Sequence, residues 1–390
     1  MAEQLKRRIG LGLLTAYGVG VMVGAGIYVL TGAVVGQAGV WAPLAFALAG
    51  VIAAPTALSY AEFSTRYPRA AGEALYVSKG YRQDWLGVLV GLAVVIAGTV
   101  SAAAVLRGGA GYLLGIIDAP FVWALLGLGG LLVLVSVVGV LESLGLAALF
   151  TLVELTGLGL VVWAGLGAEP VAVSSGGVPW AGVGAGAALA FFAFIGFEDI
   201  VNMAEEVRDP ERTMPRAILL SLVITSMLYG LVAWAAVRAV PVELLGVSEQ
   251  PLALVWEHGT GGSARFLSGI AVFAALNGVL AQIVMAARVL YGLGEQGGFL
   301  GMFHHAHQRF GTPVLASVLV GGAVVLGALT LPVAVLAEAT TTVLLAVFVL
   351  VNGALILEKK QGVRAAFEVP GWVPVAGLLL SGGALIAGVV

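Results

Sequence analysis

Long apolar runs with almost no charge fill most of this chain, and each approaches the ~20 residues that an α-helix needs to cross ~30 Å of hydrocarbon. Of the 390 residues, 60% are hydrophobic and only 10% are charged. The runs are continuous and do not alternate with a period of two, which favours helices over a β-barrel. The sequence therefore predicts an all-α polytopic membrane protein, with residues 1–390 forming a single transmembrane domain.

The apolar runs define eleven candidate membrane spans, and the basic residues between them indicate the orientation. If the N-terminus is cytoplasmic, 15 of the 18 Lys and Arg residues fall on cytoplasmic connections, and Arg107, Arg238 and Arg265 fall outside. This bias follows the positive-inside rule, so we expect a multi-pass protein of the cell (cytoplasmic) membrane with a cytoplasmic N-terminus. The spans lie near 10–36, 41–65, 85–107, 121–139, 144–167, 183–206, 216–238, 264–291, 313–331, 333–357 and 373–390.

Several kinds of chemistry are excluded by the residues that the chain lacks. There is no Cys, so thiol catalysis and a disulfide-linked accessory subunit are not expected. No Ser-His-Asp order, His-Glu-x-x-His motif or phosphate-binding loop is present, so we predict that the chain is not an enzyme. The histidines at 304, 305 and 307 are interpreted as part of a solvated loop. We predict no metal site, no cofactor and no nucleic-acid partner.

The first span contains a glycine-rich interruption. Glycines at 18, 20, 24 and 26 each weaken a helix by about 1 kcal/mol relative to Ala. If the helix unwinds at 24–26, the N–H groups of Ala25, Gly26 and Ile27 lose their intrahelical partners and begin a new half-helix. Such a helix start can bind a carboxylate. The alternative is close helix packing, because Gly20 and Gly24 have a small-xxx-small spacing.

The sixth span contains a second interruption, around residues 195–198. Glu198 and Asp199 lie some fifteen residues into this span, too deep for an interfacial pair. Unwinding at 194–198 would leave the carbonyls of Phe192, Ala193 and Ile195 available to an ammonium group or Na⁺. The alternative is that the two carboxylates only pair with polar groups on neighbouring helices.

The two interruptions lie five spans apart, which suggests two five-helix units of opposite orientation. Repeat one would cover about 10–167, repeat two about 183–357, and an extra helix about 373–390. Discontinuous helices at matching places in inverted repeats indicate the binding site of a transporter.

The segments around both interruptions resemble a known family. Residues 191–198 (FFAFIGFE) and 204–217 (AEEVRDPERTMPRA) are similar to the sixth span and following loop of amino acid–polyamine–organocation transporters, especially the cationic amino acid transporter branch and its bacterial relatives. Residues 24–28 (GAGIY) and 57–63 (ALSYAEF) resemble the family's first and second spans. The resemblance covers nearly the whole chain. It implies a LeuT-like five-plus-five fold with broken helices 1 and 6, and secondary transport of amino acids or related amines.

The resemblance also implies a substrate site. The backbone near the first interruption would hold the substrate carboxylate, through Gly24, Ala25, Gly26 and Ile27. Carbonyl groups near both interruptions would face the α-ammonium, from Val21, Phe192, Ala193 and Ile195. Weaker candidates for the side-chain pocket are Ile96, Ala97 and Asn277.

Glu154 is the only charged residue between positions 144 and 166. Ionisable groups at such depth are costly, and they usually face a protein interior or a water-filled pathway. Proton-coupled members of the resembled family often carry a Lys at the corresponding place, so their mechanism does not transfer directly. Four interpretations remain: Glu154 carries the coupled proton, binds Na⁺, attracts a cationic substrate, or is a neutral structural group. Glu154 and Glu198 are the candidate coupling residues.

We therefore expect a secondary active transporter of amino acids that works by alternating access. A proton is the expected coupling ion and Na⁺ the alternative. An amine or polyamine transporter and an amino acid exchanger are the alternative functions. From a different class, an ion channel or a nontransporting membrane receptor would fit an apolar chain, but no repeated pore loop, ring of like charge or large soluble domain is found.

Overall fold

The computed structural model describes residues 9–68, 72–138, 144–171, 177–204, 206–294, 298–307, 311–362 and 365–389. In these residues the all-α prediction is confirmed, since the single β contact they contain is a bridge between Ile9 and Val207. Three short 3-10 helices cover Gly39–Trp41, Asp199–Met203 and Gly298–Phe303. The α-helices are α1 (Leu11–Ala38), α2 (Ala42–Arg66), α3 (Gly72–Tyr81), α4 (Asp84–Leu114), α5 (Phe121–Val138), α6 (Leu144–Gly167), α7 (Trp180–Phe192), α8 (Pro210–Ala239), α9 (Val242–Val247), α10 (Pro251–Thr260), α11 (Arg265–Gly294), α12 (Val314–Thr330), α13 (Val333–Lys360) and α14 (Trp372–Val389).

Seven helical segments of the described chain are long and apolar enough to cross a membrane. One of them, Gly26–Arg66, includes the second half of α1 together with α2. Four further apolar helices are shorter: Leu11–Gly24, Trp180–Phe192, Val314–Thr330 and Trp372–Ala387. A helix thus lies at each predicted span, while the count of eleven crossings and the inverted repeat stay predictions.

Helix α4 continues past Arg107, where the third predicted span ends, and reaches Leu114. The helix tolerates this charge because the guanidinium of Arg107 donates to the Ala328 carbonyl at 2.7 Å and lies 5.0 Å from the centre of the Phe121 ring. Helix α8 starts at Pro210, before the seventh predicted span begins at 216, and proline suits the first helical position.

Helix α1 occupies the centre of the bundle. It lies against α6, α7, α8, α9, α10 and α11. Its apolar residues are largely buried, including Met22, Val23, Ile27 and Leu30. Any irregularity in α1 therefore opens into the protein interior and not toward lipid.

Asn352 of α13 centres a buried polar cluster that joins α2, α13 and α14. Its side-chain oxygen accepts from the Ser59 hydroxyl at 2.7 Å, and its amide nitrogen donates to Thr56 at 2.9 Å. The Thr56 hydroxyl lies 3.3 Å from that of Ser381 on α14. Because buried polar groups must be hydrogen-bonded, this cluster fixes how the three helices pack.

A group of charged residues holds the end of α2 to the chain after α13. The Glu62 carboxylate is fully buried, and it contacts Arg66 at 2.5 Å and Lys359 at 2.8 Å. It also accepts from the backbone N–H of Val369 at 2.8 Å. This contact anchors the segment that leads into α14.

Candidate functional site

The first interruption divides α1 at Gly24, whose backbone is non-helical with φ 5° and ψ −157°. The helix restarts at Gly26. Because the first N–H groups of a helix have no intrahelical acceptor, this restart presents unsatisfied donors and partial positive charge. The interruption lies inside the segment 24–26, where the sequence predicts that the helix unwinds.

The glycines of α1 have different roles. A Cβ atom on Gly26 would lie 3.2 Å from the Cα of Ala193, and one on Gly20 would overlap the Thr151 hydroxyl. A Cβ on Gly24 would meet nothing within 4 Å. Close packing therefore accounts for Gly20 and Gly26 but not for Gly24.

The second interruption begins where α7 ends, at Phe192. The 13 residues of α7 extend only about 20 Å, short of the ~30 Å hydrocarbon thickness. Turns follow through residues 193–198. Within them Gly196 has φ +124°, a conformation that L side chains rarely adopt, and its N–H donates to the buried Glu198 carboxylate at 2.9 Å. Glu198 thus satisfies a backbone donor released by the interruption.

The two interruptions touch each other. A Cβ on Gly196 would lie 2.8 Å from Val21 Cγ1 and 3.1 Å from the Met22 nitrogen, so only glycine fits between them. The hydroxyl of Tyr229 on α8 lies 2.6 Å from the Met22 carbonyl and 2.8 Å from the Ala193 carbonyl. One hydroxyl hydrogen is shared between these acceptors, and it ties both broken helices to α8.

A cavity lies against both interruptions. Its empty space, including its opening to solvent, is about 700 Å³. It is lined by six of the predicted substrate-binding residues, Val21, Gly24, Gly26, Phe192, Ile195 and Asn277. Polar groups from α1, α4, α6 and α11 complete its wall, from Tyr17, Ser101, Thr151 and Gln282. The side chain of Ala25 lies outside what the structure describes.

The structure corrects the prediction for Ile96 and adds a contact at Ala193. Ile96 is 54% exposed on the outer surface, because it lies about 100° around α4 from the buried Ala97. The carbonyl of Ala193 accepts from the Tyr229 hydroxyl, which uses one of its two lone pairs, so an ammonium group would share this acceptor with Tyr229. The Ile27 side chain is buried away from the cavity, so its predicted role depends on its backbone N–H alone.

A second, smaller cavity adjoins the first, and the two share Ser101, Ile195 and Gln282. Ala97 lines this smaller space. Glu198 and Asp199 also line it, so the cavity system has an acidic end next to the second interruption.

Glu154 of α6 is fully buried, one side chain away from the main cavity. Its Oε1 lies 3.5 Å from the Asn277 amide nitrogen, and Asn277 lines the cavity. Its Oε2 is buried and has no hydrogen-bond partner among the described residues. The Tyr28 hydroxyl donates to the backbone carbonyl of Glu154 at 2.8 Å. A carboxylate placed in this way is poorly solvated when it is charged.

The acidic region formed by Glu198 and Asp199 extends to Glu73 on α3, which lies between the second and third predicted spans. Burial raises the pKa of Glu73 to about 7, and nearby Asp199 raises it as well. No group of three His, Cys, Asp or Glu side chains in the described ranges is arranged to hold a metal ion.

Sequence reasoning missed Tyr229 and Gln282. Both are polar residues inside apolar runs, and a polar group at such a position usually finds a partner or faces a cavity. That signal was present at 216–238 and at 264–291, although it does not reveal which atoms are contacted.

Comparison with known proteins gives consistent matches. The sequence model of the family described as amino acid permease matches residues 9–390. Cationic amino acid transporter 4 of Homo sapiens is 30% identical over 82% of this chain, which spans 55% of that protein. The branched-chain amino acid permease of Bacillus subtilis is 26% identical over 97% of this chain and 87% of its own length. An uncharacterized transporter of Mycobacterium tuberculosis is 30% identical over 83% of this chain and 73% of its own length. The chain thus spans just over half the length of the human relative.

Proposed function

The chain belongs to the amino acid permease family of the amino acid–polyamine–organocation superfamily, and from this membership we propose that it is a secondary active transporter of amino acids. The proposed transport is proton-coupled and works by alternating access. The observation that carries the proposal is the cavity between the two helix interruptions. The relatives are transporters and permeases, which favours transport over enzymatic catalysis.

The cavity suits a zwitterion. The unsatisfied N–H groups near Gly24 and Gly26 attract a carboxylate, since a helix start carries partial positive charge. Carbonyls near Val21, Phe192 and Ile195 attract the α-ammonium from the other side. Both charged ends of an amino acid would thus meet main-chain dipoles without an opposite charge in the cavity wall.

Alternating access requires that the cavity be closed on one side of the membrane. A set of hydrogen bonds beyond the interruptions is a candidate for this closure. The Tyr112 hydroxyl donates to the Tyr28 carbonyl at 2.9 Å and accepts from the Leu252 N–H at 3.3 Å. These bonds join α4, α1 and α10 on the side that the proposed orientation makes extracellular. We expect them to separate when the cavity opens outward.

Glu154 is the proposed proton carrier. Because one of its carboxyl oxygens is buried without a hydrogen-bond partner, the neutral acid has a lower free energy than the charged form at this depth. One proton moving inward gains about 2.3 kcal/mol per 100 mV of membrane potential, which supports modest accumulation of substrate. Na⁺ is the alternative coupling ion.

An amine or polyamine carrier is the second candidate. It is favoured by Glu198 and Asp199, which line the smaller cavity and would attract a substrate cation. In either case the proposed location is the cell membrane, with a cytoplasmic N-terminus and no disulfide-linked subunit. An amino acid exchanger would differ from a proton-coupled transporter only in requiring substrate on both sides of the membrane.

Uptake into proteoliposomes tests the proposal. Purified protein is reconstituted and supplied with labelled L-arginine, L-leucine or putrescine, with an inward proton gradient, an inward Na⁺ gradient, or neither. The proposal expects amino acid uptake driven by the proton gradient, and counterflow of labelled substrate, which a channel does not show. Uptake of putrescine alone would support the amine carrier instead, and uptake that ignores the proton gradient would refute proton coupling.

The Glu154→Gln variant tests the carrier residue. It keeps the size of the side chain but cannot exchange a proton. We expect loss of proton-driven accumulation with counterflow retained, because counterflow needs no net proton movement. Unchanged accumulation and pH dependence in this variant would rule out Glu154 as the carrier.

A further inference from the structure

Asn277 lies between Glu154 and the cavity. Its amide nitrogen is 3.5 Å from Glu154 Oε1, and its side chain forms part of the cavity wall. Glu154 itself does not line the cavity. The Asn277 amide therefore lies between the Glu154 carboxyl group and a substrate bound in the cavity.

We propose that Asn277 is a positioning residue that presents a different hydrogen-bonding group to the cavity according to whether Glu154 holds a proton. This inference rests on the proposed function and names the residue that would link the proton to the substrate. An asparagine suits such a role because its amide has donors on one side and an acceptor on the other.

The two protonation states of Glu154 offer different hydrogen-bonding groups to the amide, because only the protonated carboxyl can donate. A charged carboxylate only accepts, so Asn277 must point its N–H group at Glu154, as the structure shows, and its oxygen lies away from it. Once protonated, the carboxyl can donate its O–H to the Asn277 oxygen. That requires the amide to turn over, and the N–H group then faces the cavity.

As a consequence, the proton on Glu154 and the substrate carboxylate favour each other's binding. Protonation removes a negative charge from behind the cavity wall, and the turned amide supplies a donor for the substrate carboxylate. Both effects strengthen substrate binding in the same direction. By linkage, the bound carboxylate strengthens proton binding by the same factor.

No other described charge is close enough to replace this link. Helix α6 packs against α1, α8, α10 and α11. Tyr28 of α1 and Tyr229 of α8 are the titratable groups near the carboxyl, and both are phenols that donate to backbone carbonyls. The α1 segment 11–38 has no charged residue.

The remaining charges on these helices are distant or occupied elsewhere. Glu257 and His258 of α10 are exposed. On α11, Arg265 and Arg288 are 12 and 11 residues from Asn277, or about 16–18 Å along the helix. Arg238 of α8 donates to carbonyls at the far end of α6. The Asn277 amide is therefore the direct polar connection to Glu154.

The test compares substrate affinity at pH 6 and pH 8 for two leucine variants on α11. Asn277→Leu removes the amide at nearly constant volume. Gln282→Leu makes the same exchange five residues later, in the same cavity wall but away from Glu154. Apparent affinities for L-arginine and L-leucine are measured by uptake and by ligand-induced thermal stabilisation, and the apparent Tm of each variant without ligand checks folding. Asn277→Ser serves as a second amide-free variant.

For the wild type we expect at least about fivefold tighter binding at pH 6, the lower end of ordinary coupling between sites. In Asn277→Leu and Asn277→Ser this ratio should fall below about twofold, while Gln282→Leu keeps the wild-type ratio whatever its own affinity. A wild-type ratio in both Asn277 variants would overturn the proposal, as would loss of the ratio in Gln282→Leu. A wild type whose binding ignores pH would overturn proton coupling itself, and this proposal with it.

Discussion

Tyr229→Phe removes one oxygen from the point where the two interruptions meet. The hydroxyl lies 2.6 Å from the Met22 carbonyl and 2.8 Å from the Ala193 carbonyl, and both acceptors are inside the protein. Leaving a buried acceptor without a donor costs about 1–3 kcal/mol. The ring should stay in place, because it packs edge-on against Phe46 and Phe194 at 5.7 and 5.2 Å between centroids. The loss is therefore a hydrogen-bonding loss without a cavity.

The assay is thermal unfolding of the purified protein at a fixed scan rate. At about 2 °C per kcal/mol, the lower end for chains of a few hundred residues, we expect the apparent Tm to fall by about 2–6 °C. Tyr291→Phe is the matched control, since that ring stacks on His304 near the end of α11 and should change the Tm by less than about 1 °C. Equal Tm values for Tyr229→Phe and the wild type would refute the claim that this hydroxyl holds the interruptions together.

Two further predictions concern the neighbouring backbone and the acidic region. Gly196→Ala should abolish substrate-induced thermal stabilisation, because the new methyl lies 2.8 Å from Val21 at φ +124°. Gly12→Ala, where a Cβ meets nothing within 4 Å, should leave that stabilisation unchanged. Burial raises the pKa of Glu73 from 4.5 to about 7, so the folded protein holds a proton that the unfolded chain releases, and stability should fall as the pH rises through that window. In Glu73→Gln, the free energy of unfolding should change less between pH 4.5 and pH 8 than it does in the wild type. A pH dependence equal to that of the wild type would contradict the assignment of this proton to Glu73.

The positions of the helices and of their interruptions could be predicted because they depend on local composition. Long apolar runs indicate membrane helices, and the clustered glycines of α1 indicate a weak point near Gly24. The interruption after Phe192 was also indicated, by carboxylates too deep in a span for a regular membrane helix. These signals act within one helix and need no knowledge of its neighbours.

The tertiary contacts could not be predicted in the same way. Ile96 and Ala97 are adjacent in sequence, yet one is exposed and the other lines a cavity, because which face of α4 is buried depends on the helices around it. The Ala193 carbonyl, a predicted ammonium ligand, also accepts from Tyr229, 36 residues away, and the sequence does not indicate this contact. Asn277 was named only as a pocket residue, and its contact with Glu154 joins positions 123 residues apart.

The most direct test of the account is a structure of the purified protein with a saturating amino acid that stabilises it. We expect ligand density between the two interruptions, with the carboxylate at Gly24 and Gly26 and the ammonium facing the carbonyls near Phe192 and Ile195. Ligand density elsewhere, or α1 continuing through Gly24 as a regular helix, would contradict it.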